Sequence, residues 1–337
     1  MGRRHAGNRR KQFVAIVAIV LILILALIGV RVYEMKMSTV IPNAGEQMTA
    51  HTAAMNSGQV YMNERWYAER NVETLLVLGI DDYANLNGTD SYNIGHQTDF
   101  LVLFIRDLDT GKTAAIHINR DTMTDITTLG VTGQPTGTIH AQLALAYNYG
   151  NTDQSRSQNT VEAVEHLLYG MPIDHYITLT MDAVPVLNDW VGGVTVEILD
   201  DFTALDSSMI PGELVRLDGA QALTYVRTRY GLDDSSNLDR MERQRQYAEE
   251  WIHSAQGLLN DAQAVADLVV QLDGYYHSDC TVDELASYAE GLSLSPSTMV
   301  YQIEGDTMQG DVYMEFHVDE EYLQQLVLEL FYIPVNN

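Results

Sequence analysis

Hydrophobic positions fall into blocks whose spacing changes along the chain. From Phe13 to Val30, eighteen consecutive residues are uncharged and almost wholly aliphatic, which predicts a transmembrane helix over residues 13–31. Residues 32–70 carry no strong period and read as a spacer. Val72 to Asp82 is a short apolar run ending in acid, the pattern of a buried strand that delivers Asp81 at its C-terminal end. Two more apolar runs lie within Gln97–Asp121, parted by the turn residues Asp107–Lys112, and predict a β-hairpin. Helical spacing follows over Thr138–Tyr149 and Thr160–Tyr169. Asp174–Leu179 reads as a strand, and Ala183–Ile198 as a helix, a Gly-Gly turn and a strand. Tyr225–Arg229 reads as a strand, followed by long helices over Leu238–Leu272 and residues 282–292. A hairpin over Val300–Val318 and a helix over Asp319–Phe331 close the chain. This alternation predicts an α/β fold, a three-layer α-β-α sandwich around a mixed central sheet, preceded by one N-terminal transmembrane helix.

Charge adds direction. Five Arg and Lys but no acid occupy the first eleven residues, which places that end in the cytoplasm and everything from about residue 32 outside. The apolar run is longer than a signal-peptide core, and Val30-Arg-Val-Tyr-Glu-Met lacks a small-x-small site, so an uncleaved anchor is expected. The chain carries 46 acidic against 19 basic residues. Setting aside the first thirty residues leaves fourteen Lys and Arg against all the acids, a formal charge of −32. Nucleic acid and anionic lipid surfaces are therefore poor partners. Cys280 is the single cysteine and forms no internal disulfide. There is no CxxC, no clustered His-Cys pattern in the sequence and no GxxxxGK[ST] phosphate loop.

Against this background the arginines stand out. Arg227, Arg229, Arg240, Arg243 and Arg245 fall within nineteen residues, whereas Gln246–Asn337 holds seventeen acids and no Lys or Arg. On a strand Arg227 and Arg229 would leave the same face, and on a helix Arg240 and Arg243 would share one side at i, i+3. Planar guanidiniums suit phosphate or pyrophosphate. The alternative is that the helix arginines merely pair with Glu242 and Glu249 on a solvated face. Folding the hairpin about Asp109 and Thr110 brings Asp99 opposite Arg120 and Asp121. A parallel neighbouring strand adds Asp81 to the same sheet edge, where open α/β sheets bind ligands.

Taken in order, these segments resemble the LytR-CpsA-Psr family of membrane-anchored wall-polymer ligases, from about Leu75 to Trp251. The resemblance is carried by Leu76-Val-Leu-Gly-Ile-Asp81, Gln97-Thr-Asp99, His117-Ile-Asn-Arg-Asp121, Pro172-Ile-Asp-His-Tyr, Val191-Gly-Gly-Val, Leu217–Arg229 and Asp239-Arg-Met-Glu-Arg-Gln244. It implies an extracellular phosphotransferase of a Gram-positive bacterium, single-pass in the cell membrane. The enzyme would take a glycopolymer such as teichoic acid or capsule from an undecaprenyl-pyrophosphate carrier and join it to peptidoglycan. Its domains would be a cytoplasmic tail (1–12), the helix (13–31), the spacer (32–70), a catalytic domain (71–255) and C-terminal helices and a hairpin packed on it (256–337). Also implied are Mg²⁺ (or Mn²⁺) on Asp81 and Asp99, and pyrophosphate held by Arg120, Arg227, Arg229, Arg240 and Arg243, with Gln97 and Gln244 beside them. Asp121, flanked by Arg120, is the candidate acceptor for the attacking hydroxyl's proton. An apolar tunnel for the lipid is expected from helices of residues 140–190 and the sheet. Gln97 stands where the family has Arg, and Asn119 where it has Pro. The competing expectations are a phosphohydrolase acting on lipid carriers and a non-catalytic wall-associated binding or regulatory protein.

Overall fold

Leu75, Leu76, Val77 and Leu78 are all fully buried, so the strand that carries them is covered on both faces. In the computed structural model that strand is central. The structure describes residues 59–81, 97–228, 237–255, 257–258, 261–281, 284 and 299–335. The predicted tail, transmembrane helix and most of the spacer lie outside the described residues, as do Arg229 and all of the predicted helix over residues 282–292 except Glu284. Among the described residues no helix is long and apolar enough to cross a membrane.

The chain begins with β1 (Gln59–Met62), β2 (Arg65–Glu69), β3 (Val72–Ile80), β4 (Thr98–Asp107), β5 (Thr113–His117), β6 (Met123–Leu129) and β7 (Pro135–Gln142). A 3-10 turn over Leu143–Asn148 leads to α1 (Asp153–Leu167), β8 (His175–Thr180), α2 (Ala183–Trp190), β9 (Val194–Glu197) and β10 (Leu214–Leu217). Then come α3 (Gly219–Arg227), α4 (Asn237–Ala255), α5 (Ala262–Gln271), β11 (Tyr276–Ser278) and β12 (Met299–Gln302). β13 (Gly305–Gln309), β14 (Met314–Val318), α6 (Glu320–Phe331) and β15 (Tyr332–Pro334) end the fold.

Six strands form one mixed sheet in the order β11-β8-β3-β4-β5-β12. β3 is antiparallel to β4 and β4 to β5, so β3 and β5 run parallel and end at the same edge. Alternation along the strands splits the core in two. Leu75, Val77, Val102 and Phe104 pack with α2, α3, α4 and α5 on one face. Leu76, Leu78, Leu101 and Leu103 pack with α1 and α6 on the other. Helices thus cover both faces of a mixed sheet, as the patterning predicts. The outer strands β11 and β12 come from residues 256–337, so this tail completes the sheet as well as packing on it.

Three local expectations are overturned. Tyr225–Arg227 is the last turn of helix α3, not a strand. The Asp218 carboxylate accepts from Gln221 N at 2.8 Å, while Gln221 Oε1 accepts from Asp218 N at 3.1 Å; this reciprocal cap nucleates a helix that outweighs the β-branched Thr224 and Val226. Thr138–Gln142 is strand, because its β-branched positions pair with the Thr-rich β6, and helical backbone begins only at Leu143. The apolar pattern from Leu238 to Leu272 is divided between α4 and α5, the latter opened by an Asp261 cap on Gln263 and Ala264.

Candidate active site

The edge shared by the C-terminal ends of β3 and β5 gathers most of the predicted residues. Here β4 carries an irregularity: Gly79 faces Phe100 and Ile80 faces Thr98, so Asp99 is the extra, unpaired residue of a β-bulge. A bulge re-aims one side chain out of the pleat. Gly79 permits it, since a Cβ there would lie 2.9 Å from Phe100 Cβ. Asp81 follows β3, its N–H donating to Gln97 O at 3.0 Å.

Asp99 is 7% exposed and sits between two arginines. Arg120 Nη1 reaches its carboxylate, and Arg240 Nη1 lies 3.3 Å from the same Oδ1. Arg240 Nη2 also donates to Asp99 O at 3.3 Å and to Asn237 Oδ1. The second amino group of Arg120 donates to Gln97 Oε1, and its Nε lies 3.5 Å from Asp121 Oδ1. Asp81 pairs with Arg227 at 2.7 Å. Every carboxylate of the edge therefore touches a guanidinium. Removing one partner of such a buried pair typically costs about 3–5 kcal/mol, because the other charge is left uncompensated.

Two predicted residues go elsewhere. Arg243, 1% exposed, donates through Nε to Tyr225 O at 2.9 Å, and through its amino groups to Thr228 O and Asp200. Gln244 Nε2 donates to Val226 O at 3.1 Å. Both side chains of α4 thus satisfy carbonyls that α3 leaves open at its C-terminus. Although Arg240 and Arg243 share helix α4, they part toward different partners. Arg227 ends α3, so no strand sets it beside Arg229.

Asn119, Asn237 and Gln142 complete the site; of these the sequence marked only Asn119, as a departure from the family's Pro, and no local pattern signals the other two. Asn119 Oδ1 accepts from Asp121 N at 3.0 Å, an Asx turn, and from Asn237 Nδ2 at 2.6 Å. It ties the end of β5 to the start of α4. Gln142 Nε2 donates to Asp121 Oδ1 at 2.9 Å and to Met314 O at 2.6 Å, while Asp121 O accepts from Phe316 N at 2.9 Å. The C-terminal hairpin thereby braces Asp121, which is 3% exposed. His117, buried with its ring 5.2 Å from that of Phe100, is held neutral: burial, then the charges of Arg245 and Arg240, lower its pKa to about 3.

Beside this cluster, between the sheet and helices α2, α3 and α4, lies an almost wholly apolar pocket with about 720 Å³ of empty space, counting its mouth. Val77, Phe100, Leu187, Val226, Tyr247 and Trp251 are among its walls, with Gln244 at the boundary. From the 140–190 stretch only β8, α2 and the residues joining them contribute. Leu143, Ala146 and Ala163 pack on the other face of the sheet.

The chain is similar to known proteins in sequence and in fold. The model of the LytR_cpsA_psr family matches residues 35–331. The chain is 30% identical to the polyisoprenyl-teichoic acid–peptidoglycan teichoic acid transferase TagU of Halalkalibacterium halodurans over 62% of its length and 67% of that protein. It is 24% identical to TagU of Enterococcus faecalis over 95% of its length and 96% of that protein. The crystal structure of Bacillus subtilis TagV superposes with a TM-score of 0.56 at 24% identity, covering 77% of this chain and 96% of that one.

Proposed function

The chain belongs to the LytR_cpsA_psr family, and from that we propose that it transfers a wall glycopolymer from a polyprenyl-pyrophosphate carrier to a sugar hydroxyl of peptidoglycan. The observation that carries this reading is the junction of two environments: a buried arginine-carboxylate cluster built on Asp99, Arg120 and Arg240, opening beside the apolar pocket walled by Val77, Phe100, Leu187, Val226, Tyr247 and Trp251. An amphiphile with a pyrophosphate head and an isoprenoid tail needs both. Transfer demands chiefly charge neutralisation and in-line placement. The acceptor oxygen bonds to the glycan-linked phosphorus, and that phosphorus loses its bond to the bridging oxygen. Polyprenyl monophosphate leaves, and the hydroxyl proton passes to a base.

Arg120, Arg227 and Arg240 are the groups for the phosphoryl oxygens, each now resting on a carboxylate that the anionic head would displace. Arg229 would join them from outside the described residues. Arg243, Gln244 and Gln97 act one step back. Arg243 and Gln244 fix the end of α3 that carries Arg227, and Gln97 orients Arg120. Asp121 Oδ1 lies 3.5 Å from Arg120 Nε, and its burial favours orienting Arg120 over receiving a proton.

Asp81 and Asp99 offer oxygen donors only, at adjoining strand ends, which is the chemistry a hard cation requires. They would hold Mg²⁺ (or Mn²⁺), which when bound supplies Lewis-acid neutralisation of pyrophosphate charge. The apolar stretch over residues 13–31 would anchor the chain in the cell membrane with the catalytic part outside.

The test incubates the full chain with a labelled lipid-linked donor, Mg²⁺ and oligomeric peptidoglycan. Labelled glycan is expected. Release of free phosphate instead would make the protein a phosphohydrolase, and donor binding without product a carrier-binding protein.

A further inference from the structure

His175 and Cys280 lie 105 positions apart in sequence, yet the fold brings them together at the end of the sheet remote from the arginines. β11 is antiparallel to β8 with Ser278 opposite Ile177, so the residues just beyond Ser278 run alongside the first residues of β8. His175 aligns with Leu75 at one end of β3 and Thr180 with Ile80 at the other, which separates this cluster from the active-site edge by roughly 17 Å of strand.

One ligand atom each from His175, Asp279 and Cys280 lies within 4.8 Å of the other two. His175 Nδ1 is 3.6 Å from Asp279 Oδ1, outside hydrogen-bond range. It is close to the separation of roughly 3.4 Å expected for a nitrogen and an oxygen bound at about 2.0–2.2 Å to one tetrahedral ion. The other ring nitrogen, Nε2, faces Glu284 Oε1 at 3.8 Å. At 3.8 Å this pair is also longer than a hydrogen bond, but it sets a carboxylate on the side where metal-ligating histidines characteristically have one to orient the ring. The Glu284 carboxylate is itself held in place, because its Oε2 accepts from Thr281 N and Oγ1, each at 2.7 Å. The loop is likewise fixed, with Asp279 Oδ1 accepting from Tyr176 N at 2.9 Å and Cys280 N donating to Ser278 Oγ at 3.1 Å.

We infer that His175, Asp279 and Cys280 form a binding site for a borderline-soft divalent cation of the Zn²⁺ class, with Glu284 orienting His175 and the fourth position left to solvent. Mixed N, O and S donors select such an ion over Mg²⁺ or Ca²⁺. A thiol binds such an ion as its thiolate, so binding would release the Cys280 proton to solvent. The site staples edge strand β11 to β8 in a chain that has no cysteine partner for a disulfide, and it is separate from the carboxylates proposed for Mg²⁺.

The experiment titrates the metal-stripped full chain with Co²⁺ and then Zn²⁺, following thiolate-to-cobalt charge-transfer absorption and the melting temperature. A saturable band at one equivalent, displaced by Zn²⁺, and a Zn²⁺-dependent rise in melting temperature are expected in the wild type and in Asp81→Asn. Cys280→Ser, which is nearly isosteric, and His175→Gln should lose both responses, and Glu284→Gln should weaken binding about 10–100-fold. Absence of the band in the wild type, or equal Zn²⁺ binding by folded Cys280→Ser, would overturn the proposal and leave a surface ion pair.

Discussion

At the scale of single residues, the geometry of Arg240 makes a demand that charge alone does not meet. Its guanidinium contacts Asp99 through both side chain and backbone and also reaches Asn237. Lysine offers one compact ammonium in place of a planar fork. Arg240→Lys is therefore expected to lower transfer roughly ten- to hundredfold, the equivalent of one charge-assisted contact of about 1.5–3 kcal/mol. Arg156→Lys, on a side chain that reaches Asp153 at 3.8 Å on helix α1, should leave the rate unchanged. Equal tolerance at both positions would reduce Arg240 to a structural ion pair. His117 gives a second test, in pH. Its folded pKa of about 3 lies below the unfolded value near 6.5, so the unfolded chain binds the extra proton between these limits. Stability is fully present above the unfolded value and is lost as pH falls through that window, by about 2 kcal/mol at pH 5. Denaturant unfolding at pH 7 and pH 5 should show His117→Leu losing less stability than the wild type by that amount. The sequence made Asp81, Asp99, Arg120 and Asp121 legible because their position depends only on strand ends and hairpin folding. It marked Asn119 only as a departure from the family's Pro and did not reveal the contacts of Asn119, Asn237 or Gln142, whose partners lie 118 and 172 residues away in the longest contacts and leave no local period.

Among elements, the junction of α3 and α4 decides where Arg227 points. α3 ends with open carbonyls, and α4 answers with Arg243 and Gln244 on Tyr225, Val226 and Thr228. Arg243→Ala would expose those carbonyls and leave Asp200 without its cation. A loss of about 3 kcal/mol in unfolding free energy is expected, with activity falling further than the folded fraction does because Arg227 loses its mount. If activity fell only in proportion to the folded fraction, Arg243 would be a stabilising residue without influence on the site. The strand expected over Tyr225–Arg229 fails for a physical reason. Alternating β-branched residues favour a strand in isolation, but the Asp218–Gln221 cap seven residues upstream commits the residues as far as Arg227 to a helix before those preferences act. By contrast β3, β4 and β5 were legible because each is a nearly continuous apolar run with turn chemistry between the last two. Gln142 shows how an element far along the chain reaches the site. It joins Asp121 to Met314 of β14, and Gln142→Leu would remove both hydrogen bonds, one of them to the buried Asp121 carboxylate, at about 1–3 kcal/mol for that buried acceptor. A lower rate with donor affinity retained is expected, and an unaltered rate would confine the hairpin to a supporting role.

For the whole molecule, the arginine cluster is a small set of paired cations and carboxylates in a strongly anionic body. Beyond the first thirty residues the formal charge is −32, while the donor brings a pyrophosphate of the same sign. Two distances then compete. The contacts that would hold the head group are a few ångströms long, and those of Arg120 and Arg240 sit among residues 1–7% exposed, with Arg227 half-buried beside them, where salt screens little, whereas repulsion by the outer acids acts over the Debye length, about 30 Å at 0.01 M and about 8 Å at 0.15 M ionic strength. Raising salt across that range should therefore remove the long-range repulsion and leave the bound contacts almost untouched. With a fluorescent short-chain polyprenyl pyrophosphate in stopped flow, the association rate is expected to rise severalfold and the dissociation rate to stay nearly constant. This is the reverse of the fall that electrostatic steering gives a cationic site. An association rate that declined with salt would mean that the local field of Arg120, Arg227 and Arg240 extends past the protein surface and outweighs the acids, and the donor would then be drawn in by long-range attraction instead of by contact at the edge of the sheet.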